Sequence, residues 1–91
     1  MHSALFVAQK PEPFLPLAKA AWPRLVTELR AIALSGQGIE ILAENVLLIP
    51  LPNCMGQLSE ANRAASSMPA PSRTLYFQEA PEWVISPVQN S

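Results

Sequence analysis

Cys54 is the residue whose neighbours best suit it for chemistry. It stands in Asn53-Cys54-Met55-Gly56, at the head of a stretch with helical spacing. In the first turn of a helix, the macrodipole and free backbone N–H groups favour a thiolate. A nucleophilic cysteine also needs a base. The one histidine, His2, lies at the N-terminus. Cys54 also shares an apolar stripe with Leu58 and Ala61, which predicts a small buried core residue instead.

The other reactive groups are scattered. One histidine, one cysteine and no aspartate do not close a zinc site within one chain, so no metal is expected. Glu79 and Glu82 flank Ala80-Pro81, and that setting reads as solvated turn residues rather than a catalytic carboxylate pair. Gly36-Gln37-Gly38 follows a helical stretch, whereas a phosphate cradle follows a strand and opens a helix. Glu60 and Arg63 read as an exposed helical pair worth only about 0.2–0.5 kcal/mol. Glu40 and Arg73 join Cys54 as weak ligand-site candidates. No catalytic set and no cofactor pattern emerges, so the reading leans away from an enzyme.

The bulk composition narrows the classes further. The chain has 91 residues, which predicts one domain spanning residues 1–91. Hydrophobic residues make up 49% and charged residues 14%, against a usual charged share of about 25%. That balance argues for a folded chain with few charges to cover its surface. Net charge is −1, and the six basic residues form no run, so nucleic acid is a poor fit. A single cysteine rules out a disulfide-stapled scaffold. Residues 4–8 are too short an apolar run for a signal core or a membrane span, so a cytoplasmic location is expected.

Several elements must position these residues. Ala4 to Ala8 reads as a central strand closed by Lys10-Pro11-Glu12-Pro13. Residues 14–34 carry a helical repeat through Phe14, Ala18, Ala21, Leu25, Leu29 and Ile32. Pro13 or Pro16 suits its first turn, Pro23 should kink or restart it, and Gly36 suits a left-handed stop. Ile39 to Leu51 reads as a hairpin turning at Glu44-Asn45. A two-residue turn pairs Ala43 with Val46, Leu42 with Leu47 and Ile41 with Leu48, although a longer turn would shift the faces. Asn53 is the expected N-cap of a second helix through Leu58, Ala61, Ala65 and Met68, ended by Pro69-Ala70-Pro71. Residues 73–78 alternate as a strand, and residues 82–86 suggest a fifth, edge strand.

The order is β-α-β-β-α-β. It predicts an α+β two-layer sandwich: an antiparallel sheet of four or five strands, two helices on one face, and ferredoxin-like topology. The second face of such a sheet is uncovered. The assumed register places Leu42, Leu47, Ile49 and Tyr76 there, with Phe6 on either side. Trp83 is a further contact candidate, while Trp22 is an apolar anchor.

An apolar uncovered face predicts a homodimer, an unidentified protein partner, or both. The leading expectation is therefore a non-enzymatic interaction or accessory protein, in which Leu47→Glu breaks assembly without unfolding the monomer. A second is a small-ligand binder or minimal enzyme whose site forms between two copies, joining Glu40, Tyr76 or Arg73 across them. RNA binding on the sheet fits the element order, but the candidate strand 46–51 has no aromatic residue to stack on a base.

Overall fold

Ala4, Phe6 and Ala8 alternate with Leu5 and Val7 along the first strand, and that alternation orients the whole sheet. In the computed structural model, which describes residues 2–10, 16–51, 53–68, 70–84 and 86, the first three are fully buried and the other two half-buried. The elements are β1 (Ser3–Ala8), α1 (Pro16–Ser35), β2 (Glu40–Ala43), β3 (Val46–Pro50), α2 (Met55–Ser67) and β4 (Ser72–Phe77). The sheet order is β2-β3-β1-β4, and every neighbouring pair is antiparallel. β3 therefore lies between β1 and β2, which run the same way, and β1 lies between β3 and β4. Each helix connects two such separated strands. This is the two-layer α+β sandwich expected, compatible with the ferredoxin-like order.

Facing residues in an antiparallel ladder share a face. Phe6 pairs with Leu47, and Ala4 with Ile49, so Leu47 and Ile49 point to the helices with them. The helices answer with Trp22, Leu25, Leu29, Ile32 and Ala33 from α1 and Leu58, Ala61, Ala64 and Ala65 from α2. Alanines on α2 and at Ala4 and Ala8 leave room for the large side chains of Phe6 and Leu29, as close packing requires.

α1 runs unbroken through Pro23, with no restart. Pro23 is exposed, so its ring sits on the solvent side of the helix, and the Thr27 hydroxyl donates to its carbonyl at 2.9 Å. The buried stripe uses Trp22 with Leu25, Leu29 and Ile32, leaving Ala21 half-buried. Phe14 and Pro13 lie outside the described residues, as does the side chain of Ala18. The Trp22 indole N–H donates to the Glu44 carboxylate at 3.3 Å, tying α1 to the β2–β3 turn.

Gly36 does not take the left-handed conformation; Gly38 does, with φ at 86°. Gly36 is constrained by space instead. A Cβ there would collide with the Ile39 side chain and stand 3.2 Å from both Cys54 Sγ and Gln57 Cγ. The N-cap position of α2 belongs to Cys54, with no side-chain cap bond, and Asn53 is exposed beside it.

The hairpin turns where expected but pairs differently. Ala43 faces Val46, yet Ile41 faces Leu47 and Glu40 faces Leu48, with a β-bulge between Ile41 and Ala43. Neither Glu44 nor Asn45 has positive φ, so the turn is not a primed type that matches strand twist. The bulge supplies extra local twist. Asn45 acts through its side chain: its amide donates to the Ala8 carbonyl at 2.8 Å, and the Ala8 N–H donates back to the Asn45 carbonyl at 2.9 Å. Among the described residues the sheet has four strands. Glu82, Trp83 and Val84 form no strand, and Ile85 lies outside the described residues.

Two predictions test this arrangement. Leu47 is 1% exposed, so Leu47→Glu would bury an unpaired carboxylate and should unfold the chain, measured as loss of the cooperative thermal transition. Ser3 is buried and its hydroxyl has no hydrogen-bond partner. Removing an orphaned buried hydroxyl relieves a desolvation penalty, so Ser3→Ala should raise stability by about 1 kcal/mol in urea unfolding. A loss of stability would show that the hydroxyl is bonded in solution.

Candidate functional site

The ladders place every open-face residue on a grid. One row across the sheet reads Glu40, Leu48, Leu5, Leu75 from β2 to β4. The next reads Ala43, Val46, Val7, Arg73. A third holds Pro50, Ser3 and Phe77. Both helices pack on the opposite face. The centre of the grid is thus Leu5, Val7, Val46 and Leu48, all half-buried, and Leu75 at its border is 57% exposed. Isolated exposed apolar side chains are ordinary, but a contiguous set across neighbouring strands is a patch.

The patch differs from the one the sequence predicts. Leu47 and Ile49 are core residues beneath the helices. Tyr76 faces Ala4 and so lies on the helix side, at the outer strand, where it is half exposed. Leu42 falls at the bulge without a ladder partner and is exposed. Trp83 is exposed beyond β4. Leu5, Val7, Val46, Leu48, Leu75 and Phe77 are the residues missed. The alternation of residues 73–77 separates Leu75 and Phe77 from Tyr76, but it does not say which set meets the helices.

The weak ligand candidates do not converge within one chain. Glu40 and Arg73 share the open face, but three strand spacings, about 14 Å, separate them. Cys54 lies elsewhere, 2% exposed, with its thiol donating to the Gln37 carbonyl at 3.5 Å. A buried sulfur closed off by a backbone carbonyl suits a core residue rather than a nucleophile. Among the described residues, no three histidine, cysteine or acidic side chains group as a metal site would need. His2 is exposed and engaged through its backbone, with its N–H on the Phe77 carbonyl and its carbonyl accepting from Leu51.

Hollows in the described surface include three that gather no reactive set. One of about 410 Å³ lies beside Pro23, Arg24, Thr27, Glu28 and Met68. Another, of about 380 Å³, lies between the helices and is bordered by Glu28, Glu60 and Arg63. A third, of about 340 Å³, lies at the end of β1 beside Lys10, Asn45 and Arg73. The Asn45 amide there is already committed to the Ala8 carbonyl. No helix among the described residues is long and apolar enough to cross a membrane.

The burial of Cys54 makes a prediction. Native protein should react with a thiol reagent at least about a hundredfold more slowly than unfolded protein. Gly36→Ala should crowd Ile39, Cys54 and Gln57, destabilise by about 1–3 kcal/mol and speed that labelling. Fast labelling of the unaltered native chain would contradict the packing described.

No protein-family model matches this chain, and neither a curated protein nor a solved structure matches it.

Proposed function

We propose that this chain is a small non-enzymatic interaction protein whose working surface is the sheet face left open by the helices. One observation carries the reading. The central strands β3 and β1 present Val46, Leu48, Leu5 and Val7 side by side on that face, and the charged residues on it stand on the outer strands. An apolar centre with a polar border is the anatomy of a protein docking surface. Burial there would remove apolar area worth about 25 cal/mol per Å² from water, before the costs of association.

The competing uses fit the face less well. Stacking of RNA bases needs aromatic side chains and nearby positive charge. Among the described residues the strands of the open face carry Phe77, which is half-buried, and Arg73, with Lys10 beside it at the end of β1. Catalysis needs convergent polar groups, and Glu40 and Arg73 stand at opposite sides of the sheet. A reducing, cytoplasm-like setting suits a chain whose one cysteine is free and buried.

Leu75→Glu is the test, because Leu75 is exposed and the exchange adds no buried charge. The variant should keep the cooperative transition of the parent, with its melting temperature within about 4 °C. It should lose association through the face, or binding of an apolar fluorescent dye where the face is free. If it associates and takes up dye as the parent does, the open face is not the working surface.

A further inference from the structure

We infer that the occupant of the open face is a second copy of this chain, stacked face to face about a two-fold axis parallel to the strands, with Glu40 of each copy beside Arg73 of the other. This rests on the reading of that face as a docking surface and adds its partner and geometry.

On the open grid Glu40 sits on β2 and Arg73 on β4, the two outer strands, one row apart. The face therefore carries opposite charges at opposite sides, with an apolar centre between them. Two-fold contacts need a surface complementary to itself. An axis in the interface parallel to the strands and midway between β3 and β1 lays β2 of one copy over β4 of the other. The rows stay in step, so Glu40 comes over Leu75 of the second copy with the long side chain of Arg73 one row away, and the pair occurs twice. The same axis lays β3 over β1, so Leu48 meets Leu5 and Val46 meets Val7. Aligned packing of this kind, with strands within about 30°, is the common way two sheets stack. An axis across the strands would instead lay β2 over β2 and β4 over β4, bringing Glu40 towards Glu40 and Arg73 towards Arg73, which like-charge repulsion opposes.

The β2 edge is a poor site for sheet extension. β2 is four residues long and carries the bulge, two features that blunt an edge against further pairing. The described strands of the face carry one acid and one base, so their charges select no strongly charged partner. Its size sets the strength. Four strands about 4.8 Å apart and about 17–20 Å long give a footprint of roughly 300–400 Å² per copy, below the about 800 Å² of a standard interface. A small interface of this kind predicts a concentration-dependent dimer.

The experiment is light scattering behind a sizing column, from about 1 μM to about 1 mM, a range that spans weak to moderate dimers. It uses the parent chain, Leu75→Glu, Glu40→Arg, Arg73→Glu and the double reversal. The parent should shift from monomer to dimer within the range. Each single reversal turns both cross-copy pairs into like charges and should weaken dimerisation by roughly tenfold or more, while the double reversal restores it to within about threefold. A parent that stays monomeric overturns the second copy as occupant and leaves the docking face to the Leu75→Glu dye test. A dimer indifferent to Leu75→Glu overturns the docking face itself. A dimer broken by Leu75→Glu but indifferent to both single reversals keeps the face and overturns this geometry.

Discussion

The pairing of Phe6 with Leu47 across β1 and β3 is the contact on which the rest of the sheet depends. Both side chains are buried, and in an antiparallel ladder their shared face commits every second residue of both strands. Ala4, Ala8 and Ile49 follow to the helices, and Leu5, Val7, Val46 and Leu48 follow to the other side. A slip of one residue would exchange the faces and send Leu48 under the helices. The Asn45 clamp on Ala8 holds the register at one end, and the backbone bonds of His2 to Phe77 and Leu51 hold it at the other.

That commitment explains what was legible in the sequence. Element order, the helical spacing of Leu25, Leu29 and Ile32, and the turn at Glu44-Asn45 are local signals, and each has a local cause. The face of β3 has no such signal. Val46-Leu47-Leu48-Ile49 is apolar at every position, so period-two reasoning returns the same answer for either face. The bulge compounds this, because it moves Ile41 from Leu48 to Leu47 without leaving a glycine to announce it. The existence of an apolar open face was legible, but its membership was not. Leu47 and Ile49 exchanged roles with Val46 and Leu48.

Cys54 shows the same division between residue type and surroundings. Its position at the start of α2 follows from the sequence, and that position alone suits a reactive thiolate. Its environment comes from a distant segment. The loop after α1 closes over it, with Gly36 at its sulfur and the Gln37 carbonyl as its acceptor. The bare backbone of Gly36 is what permits that approach. The glycine works through the absence of a side chain rather than through an unusual φ, and Gly38 alone supplies the left-handed step.

The scarcity of charge connects the fold to the proposed use. With 14% charged residues, the chain has too few ionic groups to line a sheet face on one side and the helix surfaces on the other. Most of the described ones stand on helices and loops, and the described strands of the open face carry one acid and one base. Had both stood on the central strands, they would have broken the apolar patch and opposed close stacking. Placed on the outer strands, each can keep its head near water while its stem covers apolar neighbours. A pair at such a border adds little affinity and mainly selects orientation. In the proposed dimer the apolar rows supply the attraction, and Glu40 and Arg73 decide which way the second copy lies.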